Sequence, residues 1–385
     1  MRASKFRIQN SEFRTLNSCR RRGFTLTEDL ITITIIALLA GLGLSAYSGA
    51  IEMAREQRTR AQIAKIDQFI MERYEGYRTR AVPLKTIPGN PPRTAAQNRL
   101  TALRELMRLE MPDRISDLCN AAELSDLAAD NSLNAITSTG SVLSASLLPT
   151  LPALTRSYKR RAAVVIASQG GWTTANQGSE CLYLILSTMR DGDKSALDFF
   201  YSEEIGDTDG DGMKEILDGW GNPIEFLRWP AGYCEQPGVD GAWGIAGVDD
   251  DNNGLVDDVS EAGWPGTDDL RPRTPQTRNH RLSPDAFDPA KVDIRWTVSN
   301  SNYPNAVFPL TYPYAVYPLI YSSGRDKAFD VSSGSLIYAK TTPPNDPYFT
   351  GSANTLPDVG MIADSNGDGF ANWPDNITNH DKTTQ

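Results

Sequence analysis

Histidine is nearly missing from this chain, with only His280 and His380 in 385 residues, and neither a GxSxG nor an HExxH pattern occurs. A hydrolase needs a nucleophile with its base, or a metal with an open position, so the sequence is read as non-enzymatic. Cysteine is also sparse: Cys19 lies near the start, and Cys119, Cys181 and Cys234 follow at wide intervals. An odd set of three permits one disulfide in three pairings, or three buried thiols. Positive charge is scarce beyond the first segment. Seven basic residues against Glu12 put +6 before residue 24, which leaves −16 on the remainder of a chain whose net charge is −10. Nucleic acid is therefore not an expected partner of the bulk of the protein, and divalent cations are.

Charge of either sign is absent from Leu30 to Ile51, LITITIIALLAGLGLSAYSGAI. At 1.5 Å per residue this run spans roughly 33 Å as a helix, the thickness of a bilayer. The basic segment ahead of it marks the cytoplasmic side. A secretory signal would place its basic residues directly before the apolar run; here Phe24, Thr25, Leu26, Thr27 and Glu28 intervene. A carboxylate at the edge of an apolar helix needs a partner.

Arg20 to Glu28, reading RRRGFTLTE, resembles the leader junction of type IV prepilins and pseudopilins. The resemblance implies cleavage by a prepilin peptidase after Gly23, methylation of the new first residue Phe24, and a role for Glu28 in assembly. There a neighbouring subunit's terminal amine would pair with its carboxylate. Asp29 departs from the family, which usually has an apolar residue at that position, and the proline often found in the apolar stretch is missing.

Beyond the run, Ile51, Ala54, Ala61, Ile66, Phe69, Ile70, Tyr74 and Tyr77 recur at three- and four-residue intervals among charged neighbours, which predicts an amphipathic helix from about residue 25 to about 80. Val82-Pro83 ends it. Gly41 and Gly43 each weaken it by about 1 kcal/mol. Helices are expected at about 94–110, 113–130, 152–168 and 178–190. Short strands are expected at Ile224–Trp229, Ala315–Tyr321 and Ser335–Lys340, and over 292–298, where Val292, Ile294, Trp296 and Val298 alternate with Asp293, Arg295 and Thr297. The expected organisation is a leader 1–23, a spine helix 24–80, a helical insertion 81–205 and a β-rich head 206–385. That is an α+β, pilin-like fold with a small antiparallel sheet packed on the spine.

Asp218-Gly219-Trp220-Gly221-Asn222-Pro223 is similar to an element of the major pseudopilin of type II secretion. Tyr321 to Asp326 resembles that group's strand and calcium loop, and Asp375 to Asn379 its closing segment. These matches imply a subunit of a secretion pseudopilus in the inner membrane, with its head in the periplasm, partnered by other pseudopilins or its own copies and by an assembly platform. A competence or adhesive pilus, or an anchored calcium-binding adhesin, is the alternative.

Alternating acids then supply a cofactor expectation. Asp207, Asp209, Asp211, Gly212 and Asp218 follow a calcium-loop spacing, with Met213 at the seventh position. Asp364, Asn366, Asp368, Gly369 and Asp375 repeat it, with Phe370 at the seventh. Calcium takes about six to eight hard oxygens on a tightly curved loop, one of them a main-chain carbonyl at the seventh place. Asp249, Asp251 and Asn253 begin a weaker copy in which Ser260 replaces the last acid. A polar turn without metal accounts for the same residues.

Overall fold

A computed structural model describes residues 25–84, 89–118, 135–136, 142–144, 147–169, 171–234, 237–238, 240–249, 254–258, 261, 269, 284–293, 296, 313–333, 346–348, 359–362 and 375–380. Helices and small antiparallel sheets are mixed in it, compatible with an α+β class. In chain order the elements are α1 (Leu26–Gly76), α2 (Pro92–Glu110), β1 (Ala135–Ile136), β2 (Val142–Ser144), α3 (Ala153–Gln169) and α4 (Gln177–Leu186). They continue with β3 (Arg190–Asp191), β4 (Lys194–Ser195), β5 (Ile205–Gly206), β6 (Glu215–Ile216), β7 (Ile224–Leu227), β8 (Leu319–Ser322) and β9 (Ile377–Thr378). The chain divides into two compact units, Met1–Met53 and Ala54–Gln385.

In the first unit, helix α1 is long and apolar enough to cross a membrane. Helical geometry runs unbroken through Gly41 and Gly43. Leu30, Ile33, Leu38, Leu42 and Leu44 are all exposed. An uncovered apolar surface of this extent marks a membrane or partner contact. The Thr32 and Thr34 hydroxyls donate to the carbonyls of Glu28 and Leu30, both at 2.7 Å, so neither is left unsatisfied in an apolar setting.

In the second unit, the remainder of α1 lays one stripe into the core. Ile63, Ile66, Phe69, Ile70, Tyr74 and Tyr77 are buried, whereas Ala54 and Ala61 are exposed. Their expected places on the buried face go to Thr59 and Gln62. These polar residues are buried because they have partners: Thr59 Oγ1 accepts from the Gly219 amide at 2.9 Å, and Gln62 Nε2 donates to the Leu217 carbonyl at 3.1 Å.

A three-stranded antiparallel sheet in the order β7-β8-β9 pairs Ile224 with Ser322, Leu227 with Leu319, and Ser322 with Ile377. Helix α4 packs on β6 and β7, and it comes so close that a Cβ at Gly178 would lie 2.9 Å from the Phe226 carbonyl. Helices α2, α3 and α4 all contribute to this same core. Buried arginines link them to the sheet. Arg228 at the end of β7 pairs with Asp117 at 2.9 Å and Asp113 at 3.5 Å, and Arg104 of α2 pairs with Asp293 at 2.7 Å and Asp285 at 3.1 Å.

The expected strand over 292–298 does not form at its described residues. Asp288 gathers this segment into a turn, its carboxylate accepting from the Val292 and Asp293 amides and from Trp296 Nε1 at 2.8–3.0 Å, while Arg104 draws Asp293 inward. The alternation there reflects capping and ion pairing. Of the helix expected at 113–130, the described part is a single 3₁₀ turn, Ile115–Asp117, and the strand expected at 335–340 lies outside the described residues.

Candidate functional site

Thr25 and Glu28 form a reciprocal cap at the start of α1. The Thr25 amide and hydroxyl both donate to Glu28 Oε2 at 2.9 Å, and the Glu28 amide donates back to Thr25 Oγ1 at 3.3 Å. Thr-x-x-Glu is the capping-box pattern, so the sequence held a local partner for this carboxylate that its leader resemblance did not use. Acids at Glu28 and Asp29 also match the positive end of the helix dipole. Gly23 and Phe24 lie outside the described residues.

The first acidic loop is enclosed by the β5–β6 hairpin, with Ile205 opposite Ile216. Asp207 accepts from the amides of Gly210 and Gly212 at 2.7 and 2.9 Å. Asp209 accepts from the Asp211 amide at 3.3 Å, and Asp211 from the Met213 amide at 2.8 Å. This winding needs positive φ at Gly210 and Gly212, +80° and +92°. Oxygens of Asp207, Asp209 and Asp211 then fall within 4.8 Å of one another. A compact set of carboxylates on a curved loop is the donor chemistry calcium takes, so the residues present fit that ion. Met213 has its side chain in the core.

Asp218 is not among these carboxylates. Its Oδ1 accepts from the Trp220 and Asn222 amides at 2.8 and 2.9 Å, and its Oδ2 from the Ser322 hydroxyl at 2.6 Å. Burial raises its pKa, against the pull of those hydrogen bonds. It braces the turn into β7 and joins that turn to β8. Two acids that the spacing argument passed over approach the loop instead. Glu215, at the ninth position, and Glu180, from α4, place oxygens within 4.8 Å of each other and of Asp209. Glu215 was legible as a carboxylate at a ligand position; nothing in the sequence pointed to Glu180.

Glu180 is fully buried. Its Oε2 accepts from the Trp172 indole, and burial, with the charges of Asp211, Asp209 and Glu215, pushes its carboxyl up to about 10. Burial pushes Glu215 up to about 7, opposed by hydrogen bonds from Thr208 and Asn176.

In the second loop Asp249 accepts from the Gly254 amide at 3.0 Å, five residues on, as Asp207 does from Gly212. Gly254 and Gly212 share a φ of +92°. Asp251 and Asn253 lie outside the described residues, as do Asp364, Asn366, Asp368 and Phe370 of the third loop. Asp375 is exposed beside the β8 turn: a Cβ on Gly324 would meet its carbonyl at 2.5 Å. Its carboxyl is raised by partial burial and by the charges of Asp326 and Asp330. Cys181 is a buried free thiol and Cys234 is buried; Cys19 and Cys119 lie outside the described residues.

The three segments that resemble pseudopilin elements are neighbours in space. Asn222 Nδ2 donates to the Gly324 carbonyl at 3.2 Å, and the Asn379 side chain accepts from the Ile320 amide at 2.9 Å while donating to Asp67 of α1 at 2.8 Å. Comparison of the chain with protein-family models, curated proteins and solved structures finds no match.

Proposed function

We infer that this chain is a structural subunit of a pilin-like fibre, a pseudopilin serving type II protein secretion. It is anchored in the inner membrane by α1, with its N-terminus in the cytoplasm and its head in the periplasm. The observation that carries this reading is the convergence of the Asp218–Pro223 turn, the Tyr321–Asp326 turn and the Asp375–Asn379 segment on one small sheet, tied by Asn379 to α1. Contacts between the first two segments span 102 and 104 positions, and the contact from Asn379 to Ile320 spans 59. The exposed apolar face of residues 30–51 supports a membrane and neighbouring subunits as its partners.

Prepilin peptidase cuts after Gly23 and leaves a methylated Phe24; other pseudopilins or copies of this chain then pack against α1 on the assembly platform. Calcium on the acidic loops stiffens the head. Mass spectrometry of chain extracted from membranes tests the processing step. The expected product begins at N-methylated Phe24, and assembled material retaining Met1 would overturn the reading.

A further inference from the structure

Among the buried side-chain oxygens without a hydrogen-bond partner in the described residues, the carboxylate oxygen is that of Glu180. Glu180 Oε1 has no hydrogen-bond donor among the described residues, although the side chain is fully buried. A buried carboxylate oxygen without a donor is costly. The surroundings deepen that cost, since what Glu180 faces is more negative charge, from Asp209 and Glu215 within 4.8 Å. Beyond Asp209 the cluster continues to Asp207 and Asp211.

We propose that Glu180 is a metal ligand supplied from outside the acidic loop, so that a divalent cation of the calcium class is held between helix α4 and the loop by Glu180, Asp209 and Glu215. Deepening the calcium reading given above, on which it rests, this assignment names a ligand that loop spacing cannot reveal. It accounts for the oxygen without a donor and for the convergence of acids from two separate places in the chain, helix α4 and the β5–β6 loop. The surrounding scaffold is built for such a role. Trp172 fixes the other Glu180 oxygen. Thr208 and Asn176 hold Glu215. Thr173 holds Asp209 and Asp211, its amide reaching Asp211 at 2.7 Å. Oxygen-only donors select calcium over softer metals, and the irregular arrangement suits calcium better than magnesium, which demands a near-ideal octahedron. Occupancy would fasten α4, which packs on β7, to the β5–β6 hairpin.

Terbium emission excited through tryptophan reads the site directly, because Trp172 touches Glu180. The full-length chain in detergent is stripped of metal, loaded with terbium and titrated with calcium. The expected result is sensitised emission displaced by calcium, with calcium affinity lowered roughly 10–100-fold in Glu180→Gln and again in Glu215→Gln, at least the loss that supporting partners of a ligand cause. Glutamine spares the metal-free fold the cost of keeping this buried carboxyl protonated, so metal-free Glu180→Gln should melt at or above the wild-type temperature; should it fail to fold, Glu215→Gln decides. If Glu180→Gln binds calcium like the wild type while Asp211→Asn does not, the ion belongs to the loop alone, and the Glu180 assignment falls with the calcium reading intact. If the wild type binds neither ion, both fall.

Discussion

Replacing Gly219 with alanine probes the seat of the Asp218–Pro223 turn on α1. A Cβ at this position would lie 2.6 Å from the Arg55 carbonyl oxygen and 2.9 Å from Arg55 Cα, both main-chain atoms that cannot swing away. Ordinary contact begins near 3.4 Å, so turn and helix must separate by about 0.8 Å. That movement lengthens the 2.9 Å bond from the Gly219 amide to Thr59 beyond useful range and strains the 3.1 Å bond from Gln62 to Leu217. Overpacking costs about 1–3 kcal/mol, and a lost hydrogen bond about 1 kcal/mol more, which gives about 2–4 kcal/mol. At about 2 °C per kcal/mol for a unit of this size, the melting temperature of the full chain in detergent should drop by about 4–8 °C. Gly76→Ala, whose Cβ meets nothing within 4 Å, is the control and should leave the melt unmoved or raise it by up to about 2 °C, since alanine favours the helix by about 1 kcal/mol. A Gly219→Ala melt within 1 °C of the wild type would show that the turn does not bear on the helix.

Glu28→Ala should leave membrane insertion unchanged and reduce incorporation into fibres, measured by cross-linking, whereas Thr25→Ala, which removes only the cap partner, should assemble normally; equal defects would make Glu28 a helix cap and nothing more. Arg228→Met should destabilise by up to about 3 kcal/mol in denaturant melts, because buried Asp117 loses its 2.9 Å partner and keeps only Arg108 at 3.7 Å, while Asp113 keeps Arg114 at 3.1 Å; a loss below about 0.5 kcal/mol would show that the remaining arginines suffice. Glu180, with a folded pKa of about 10, and Glu215, at about 7, are both raised from 4.5, so the folded state binds more protons than the unfolded one above that pH. Stability in chelator should therefore fall as pH rises from about 5 to 8, and calcium should flatten the slope; a metal-free melt that rises over this range contradicts the burial of these groups.

What could be read from the residues follows from which forces were local. The 3.6-residue recurrence of Ile66, Phe69, Ile70, Tyr74 and Tyr77 is a property of one helix, and α1 to α4 lie close to their expected spans. Strand β7 is found at its expected place, and β8 occupies the last part of its predicted segment. Failures arose where a distant partner decided the outcome. Thr59 and Gln62 read as surface residues until the turn at 217–219 is brought to them. Asp293 reads as the outer face of a strand until Arg104 is placed opposite. Within the acidic loop the spacing of Asp207, Asp209 and Asp211 was enough to foresee their grouping, because amides of the same loop hold them. The twelfth position was not, since Asp218 answers to Ser322, and Glu180 arrives by helix packing alone.

Asn379 joins β8 to Asp67 across 312 positions of sequence. At about 5–20 residues per second of synthesis, roughly 15–60 s separate the appearance of these two partners on a growing chain. For most of that interval Ile63, Ile66 and Phe69, which the finished molecule buries, lack much of the core they join, and the central strand β8 keeps one edge open until Ile377 and Thr378 arrive. Pairing at such range is slow to nucleate. The nascent protein therefore spends its early life with a sticky helix and an unfinished sheet, in need of a chaperone or a membrane to occupy the stripe until its last strand is made.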